Sequence, residues 1–316
     1  MIESFVIKCT TKWRVEHLIS VLIPVRGDAP FLSQAIKSLS ESTLKPSEVL
    51  IIDDGISENQ LIKLKELNFD LNLKVIKNKG GGLVSALNTG LDLANNELIA
   101  RLDSDDMVYK NRLELQYSFL INSPKVVVVG SQVTFINEDN INLGKSAYPL
   151  GNINNDAQFH NSCLVAHPSV MYRKSSISKV GGYREIAKIG TISLCEDFDL
   201  WKRVARQGEL VNLKDELTFY RQHSGQLSNK YRYAQELATL YVESNAFDKT
   251  HIKFEILELG HINLEDKIRK SISILPKKQL FRFNVYSKLI RSDLKFKKIR
   301  FLLGVLSIKF INFIDK

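Results

Sequence analysis

The chain has 316 residues, 44% of them hydrophobic and 25% charged, with 44 Lys plus Arg against 35 Asp plus Glu. That composition supplies one large buried core and excludes a disordered or collagen-like chain. No apolar run reaches the roughly 18 to 20 residues that a membrane-crossing helix needs, and the cysteines Cys9, Cys163 and Cys195, in no CxxC spacing, suggest neither a disulfide framework nor a zinc site.

The first residues, MIESFVIKCTTKWRVEH, lack the basic and apolar regions of a secretory leader, so a cytoplasmic location with free thiols is expected. The excess positive charge is uneven. From residue 231 to 316 there are 17 Lys plus Arg against 9 Asp plus Glu, which leaves 27 against 26 for residues 1–230. The basicity therefore belongs to the tail, and no helix-turn-helix, RNP or zinc-finger pattern accompanies it, which argues against a nucleic-acid partner.

Short runs rich in Val and Ile at 18–25 (LISVLIPV), 48–53 (EVLIID), 73–77 (LKVIK) and 97–103 (ELIARLD) predict strands buried on both faces of a parallel sheet. Between them, residues 31–42, 58–68 and 83–95 carry apolar side chains at helical spacing, as at Leu32, Ala35, Ile36 and Leu39. The pattern is βαβαβαβ. Right-handed crossovers then place helices on both faces of one sheet and a ligand crevice at the carboxyl ends of its strands.

Those strand ends are polar. They read Arg26 and Asp28 after the first, Asp53, Asp54 and Gly55 after the second, Asn78, Lys79 and Gly80 to Gly82 after the third, and Asp103, Ser104, Asp105 and Asp106 after the fourth. Crowded carboxylates repel one another and favour a divalent cation, and Asp-x-Asp sets two side chains on one side of an extended segment. The competing reading of Asp106 is a cap on the helical run 109–121. The triple glycine could present backbone N–H groups to a phosphate at a helix N-terminus, or could be a flexible turn. Arg101, in an otherwise apolar strand, needs an anionic partner, either a nucleotide or one of the aspartates. Beyond Asn140 the periodicity loosens before a second motif-bearing stretch, 160–228, and a Lys-rich helical segment.

The ordered series VLIPVRGDAPFLSQAIKSL, VLIIDDGISEN, NKGGGLVSALNTGLDLANNELIARLDSDDMVYKNRLELQ, HPSVMYRKSSISKVGGY, CEDFDLWKRVARQG and YRQHSGQLS resembles the family 2 glycosyltransferases with a GT-A fold, over roughly residues 18–228. The likeness is to bacterial enzymes of O-antigen, capsule and exopolysaccharide synthesis. It implies an α/β fold with a mainly parallel central sheet, a catalytic domain over 1–228 and a helical basic extension over 229–316. It also implies an inverting transferase, a hexosyl- or N-acetylhexosaminyltransferase, that takes a UDP-sugar as donor and a glycan or lipid-linked glycan as acceptor. By the same resemblance Asp53 accepts from the base imide N–H, Pro24 and Arg26 form the wall of the base pocket, and Lys79, Gly81, Arg101 and Arg221 face the phosphates or ribose. Asp103 faces ribose and metal, Asp105 ligates Mn²⁺ or Mg²⁺, Asp106 supports that shell, and His223 either completes it or touches the diphosphate. Asp197 is the general base, Glu196 a weaker candidate for the same role, and His167 an acceptor-side wall.

The sequence departs from that pattern at Arg26 and Gly27, where relatives carry an aromatic, at Ile56 in place of Ser or Thr, and at Lys110 in place of Pro. No carboxylate required by the chemistry is lost. A sugar-nucleotide pyrophosphorylase shares the sheet architecture but needs an early Gly-rich basic signature that VLIPVRGDAP does not supply, and a non-catalytic glycan-binding module would tolerate loss of the acidic motifs, which are present. Residues 267–316 hold 14 Lys plus Arg against 2 Asp plus Glu and end in FLLGVLSIKFINFID, which suggests an interfacial helix on an anionic membrane surface or a helix packed on the core.

Overall fold

The computed structural model describes residues 4–7, 19–66, 69–154, 163–189, 192–226, 231, 235, 238–239, 242 and 254–255. The expected tail helix lies outside the described residues. By compactness the chain divides into one unit of Met1–Arg184 with Glu196–Lys230 and a second of Glu185–Cys195 with Tyr231–Lys316.

In chain order the first unit contains β1 (Ser4–Ile7), β2 (Ile19–Gly27), α1 (Leu32–Ser40), β3 (Glu48–Ile56), α2 (Glu58–Glu66), β4 (Leu73–Lys77), α3 (Leu83–Leu93) and β5 (Leu98–Arg101). It continues with β6 (Met107–Val108), α4 (Arg112–Asn122), β7 (Val126–Ile136), β8 (Asn142–Lys145), β9 (Gly151–Asn152), β10 (Met171–Arg173) and α5 (Lys174–Lys179). The strands β11 (Ala187–Ile189) and β12 (Ile192–Leu194) precede α6 (Glu196–Val204) and β13 (Glu209–Arg221), and β14 (Phe254–Glu255) follows. Among the described residues, β11, β12 and β14 form the small sheet of the second unit.

The main sheet runs β1-β4-β3-β2-β5-β10-β7-β13-β6, with β8 on β7 and β9 on β13. The four strands expected from apolar runs, β2 to β5, are its parallel heart. Alternation along β2 sends Val21, Ile23 and Val25 into a core shared with Leu32, Ile36 and Leu39 of α1 and Leu113 of α4. Leu22 enters the opposite core with Val84, Leu87 and Leu91 of α3 and Leu200 and Trp201 of α6. Helices thus cover both faces, which is why the middles of these strands are apolar.

The far half of the sheet was not legible as periodicity. The three-residue β10 inserts antiparallel between β5 and β7, and β13 then runs parallel to β7. That insertion carries the late motifs back beside the end of β5.

One close approach sets the spacing between α3 and the sheet. A Cβ at Gly90 would collide with the Leu22 side chain, which is fully buried. Gly90→Val is expected to lower stability by about 1–3 kcal/mol through overpacking, outweighing a gain in helix propensity of under about 1 kcal/mol. Denaturant unfolding measures this, and a midpoint at or above the parent's would show that Leu22 yields freely.

Candidate active site

The crevice is built at the carboxyl ends of β2 to β5. Asp53 stands in register with Lys77 on the neighbouring strand, and the Lys77 ammonium donates to Asp53 Oδ2 at 3.1 Å. Asp53 Oδ1 accepts from the Gly55 and Ile56 N–H groups at 2.8 and 2.7 Å, so the turn after β3 holds the carboxylate still. Asp54 accepts from Asn78 Nδ2 at 2.7 Å and from the Gly82 N–H at 2.9 Å, which fixes the glycine loop at the start of α3. Gly82 has φ 85, a left-handed conformation that glycine adopts without strain.

Pro24 is half-buried in β2 beside Ile52, and Arg26 is exposed. Gly81 has open space where a Cβ would sit. Lys79 pairs with Asp92 of α3 at 3.1 Å. It is therefore Lys77, whose place follows from two strands ending in register, that stands beside Asp53.

The turn after β5 gathers Asp103, Asp105 and Asp106, whose ligand oxygens all lie within 4.8 Å of one another. The Arg101 guanidinium meets both oxygens of Asp103, with Nη1 to Oδ2 at 2.5 Å. Of the two partners the sequence allowed Arg101, the structure displays an aspartate. Burial is the main force raising the Asp103 carboxyl, to about 6, with the charges of Asp105 and Asp197 adding to it and Arg101 opposing. Asp106 is buried, its Oδ1 accepts from the Arg221 N–H at 2.8 Å, and its Oδ2 has no protein partner. Burial, followed by the neighbouring Asp105 and Asp103 charges, pushes its carboxyl well above the usual range.

Arg221, at the end of β13, donates through Nε to the Asp105 carbonyl at 2.8 Å, through Nη1 to the carbonyls of Asn137 and Glu138 at 2.9 and 3.2 Å, and through Nη2 to Gln34 Oε1 at 3.0 Å. The cation also lies 4.2 Å from the Phe31 ring centroid. Its Nε thus holds the aspartate turn to β13, while Nη1 and Nη2 tie β13 to the end of β7 and to α1. Two residues on, His223 Nε2 lies 2.9 Å from Asp105 Oδ2.

The second acidic pair opens α6. Glu196 is buried, with Oε1 at 3.9 Å from His167 Nδ1, and burial raises its carboxyl to about 8, helped by the Asp197 charge. The His167 Nε2 is 3.0 Å from the Tyr183 hydroxyl, and desolvation keeps the ring well below its usual pKa, hence neutral. Asp197 Oδ1 accepts from the Phe198 N–H at 2.7 Å, and the Cys163 thiol lies 3.4 Å from Oδ2. Asp199, two residues further, is bound by Arg184 and by Arg203, whose Nη2 is 2.6 Å away. It anchors the helix.

The two acidic groups share one electrostatic field: Asp197 raises Asp103, Asp103 raises Glu196, and Arg101 acts on Asp103, Asp106, Glu196 and Asp197 together. Three close carboxylates, one with a buried oxygen lacking any protein partner, are a donor set suited to a hard divalent cation. Sequence reasoning did not single out Lys77, Asn78, Cys163 or Asp199 for roles. Strand register could have signalled Lys77; nothing local signals the others.

A mainly parallel sheet with an acidic turn after its fourth parallel strand, faced by a second acidic pair, is the GT-A architecture. S. aureus TarS residues 1–349 in complex with UDP-GlcNAc superposes with a TM-score of 0.54 at 16% identity, covering 93% of this chain and 72% of that one. The family model "Glycosyl transferase family 2" matches residues 20–181, and the chain belongs to that family. Relatives include an uncharacterized glycosyltransferase of Haemophilus influenzae, 27% identical over 81% of this chain and 84% of its own length. The O-antigen biosynthesis glycosyltransferase WbnJ of Escherichia coli is 32% identical over 67% of this chain and 82% of its own. The UDP-Gal:alpha-D-GlcNAc-diphosphoundecaprenol beta-1,3-galactosyltransferase of Escherichia coli is 28% identical over 84% and 93%.

The raised Glu196 carboxyl has a consequence for stability. A carboxyl that binds its proton more tightly in the fold contributes fully below its usual pKa near 4.5, and that contribution is lost as pH rises toward about 8. Glu196→Gln removes the dependence. With EDTA present, the unfolding free energy of Glu196→Gln minus that of the parent should grow from pH 5 to pH 8. A difference that is flat or shrinks would place the carboxyl in contact with water.

Proposed function

We propose that this protein is an inverting, metal-dependent glycosyltransferase that moves a hexosyl or N-acetylhexosaminyl unit from a UDP-sugar to a growing, lipid-linked glycan in surface-polysaccharide synthesis. The observation that carries this reading is the shared field of the Asp103 to Asp106 turn and the Glu196–Asp197 pair, with Arg101 acting on both. Donor-side and acceptor-side chemistry need that proximity. The names of the Escherichia coli relatives support the donor and acceptor classes.

In this reading Asp53, with Oδ1 accepting from two N–H groups of its own turn, offers the second lone pair of Oδ2, beside Lys77, to the uracil imide N–H. Pro24 and Arg26 wall the base, while Lys79 and the loop around Gly81 face the nucleotide. Asp103, Asp105 and His223 would hold Mn²⁺ or Mg²⁺, which when bound neutralises charge on the departing diphosphate. Arg221, given its acceptors, serves the donor by holding the Asp105 backbone. Asp197 accepts the proton of the acceptor hydroxyl as that oxygen attacks the anomeric carbon, opposite the leaving UDP. Glu196, neutral up to about pH 8, is a poorer base than its neighbour.

A membrane-proximal cytoplasmic site for the reaction rests on the basic tail in the sequence and on the lipid-linked acceptor. No helix among the described residues is long and apolar enough to cross a membrane.

Release of UDP from a panel of UDP-sugars tests the donor class. Turnover of none of them, with activity on a GDP- or dTDP-sugar, would overturn it. Asp197→Asn should keep donor affinity while transfer falls by about 10² to 10⁴; collapse of donor binding instead would assign Asp197 to the donor pocket. Asp105→Ala should abolish the dependence of UDP binding on Mn²⁺ or Mg²⁺ without unfolding the protein, as read by calorimetry with and without EDTA. Unchanged metal-dependent affinity in that variant would remove Asp105 from the metal shell.

A further inference from the structure

The Cys163 thiol stands between two acceptors. Its Sγ is 3.1 Å from the Val165 carbonyl oxygen and 3.4 Å from Asp197 Oδ2. A thiol carries one proton, so it serves one of these acceptors at a time. Asp197 Oδ1 is already taken by the Phe198 N–H, which leaves Oδ2 as the oxygen able to receive a proton from an acceptor hydroxyl.

We propose that Cys163 is a positioning residue for Asp197: its S–H points to Oδ2 while Asp197 is a carboxylate and turns to the Val165 carbonyl when Oδ2 takes up the acceptor's proton. The proposal rests on Asp197 as base. The proton passes from the acceptor hydroxyl to Oδ2, the S–H bond is never broken, and the new O–H of Asp197 can face the sulfur as a weak acceptor. A fixed donor, such as a backbone N–H, would have no second acceptor to turn to and would oppose protonation of Oδ2. A thiol is also a weak donor, so it orients the carboxylate without removing much of its basicity.

The surroundings fit a group that must change charge. Asp197 is faced by Glu196 and the Phe198 N–H on its own helix, by Arg101 from β5, by Asp103 from the following turn, by Cys163, and by Tyr148 from the segment between β8 and β9. Burial raises Asp197, while Phe198, Cys163 and Arg101 draw it down. The Tyr148 phenol is raised by burial and then by the charges of Cys163 and Asp197, so it lies within the field of the same pair.

Two measurements test the proposal, and the first needs no sugar donor. In the full chain carrying Cys9→Ser and Cys195→Ser, the rate of Cys163 alkylation by iodoacetamide is followed against pH. A neighbouring carboxylate disfavours the thiolate, so adding Asp197→Asn should move the midpoint down by about one pH unit. An unchanged midpoint would overturn the contact, whatever the identity of the base.

The second measurement is the pH dependence of UDP release, with UDP-galactose and UDP-N-acetylglucosamine as probes. Cys163→Ala and Cys163→Val remove the donor, the latter with volume retained, and should move the acid limb up by about half a unit, a roughly threefold loss of activity below the limb. Cys163→Ser keeps a rotatable donor and should keep the parent limb. Equal limbs in all four proteins, or equal shifts in Ser and Val, would overturn a role for the thiol proton. If Asp197→Asn retains full turnover while the alkylation midpoint still moves, the base assignment fails and the contact stands.

Discussion

Four carboxyl groups, Asp103, Asp106, Glu196 and Asp197, lie in the field of one buried guanidinium, that of Arg101. Burial works against the charge of Arg101, yet Asp103, with further contributions from Tyr183 and Asp106, outweighs it and the group ends above its ordinary pKa. The pair with Asp103 is bidentate, the geometry in which Arg and carboxylate interact most strongly. Without it, the acidic turn after β5 and the acidic start of α6 would repel each other in a medium where charges are poorly screened. Arg101 sits at the end of β5, in parallel register with Leu22 of β2. The strand order therefore sets where the carboxylates can meet.

Much of this was readable in the sequence because the parallel heart of the sheet is written as continuous apolar runs. The residues 48–53 and 97–103 could be assigned as strands without tertiary information, and Asp53, Asp103 and Asp105 then fall at their carboxyl ends. The resemblance has Arg221 facing the phosphates or ribose, and the sequence alone does not give the acceptors that its side chain meets. Its acceptors are the carbonyls of Asp105, Asn137 and Glu138, supplied by chain segments far away in sequence. No local period encodes a contact made by the return of β13 along β7.

The motif EDFD poses a similar limit. On a helix, residues two apart point to nearly opposite sides, so one of Asp197 and Asp199 must face away from the crevice, and the sequence does not say which. The structure separates them by their partners. Asp199 meets Arg184 and Arg203, a buried cluster in which removal of one member leaves uncompensated charge. Among the described residues, Asp197 meets an N–H and a thiol and has no ion pair.

Glu196 and Asp197 show how one helix start can hold two carboxyls for different purposes. A helix N-terminus favours the charged form of both, and for an exposed pair that would leave two carboxylates. Here burial opposes ionisation of each, and the Asp197 charge raises Glu196 further. The Phe198 N–H and the Cys163 thiol both favour the charged form of Asp197, whereas Glu196 has for a side-chain neighbour a His167 ring kept neutral by burial and engaged with Tyr183. The asymmetry of partners favours the charged form on Asp197 more than on Glu196. Under the proposed function, that asymmetry leaves Asp197, more than Glu196, as the carboxylate placed to take up a proton.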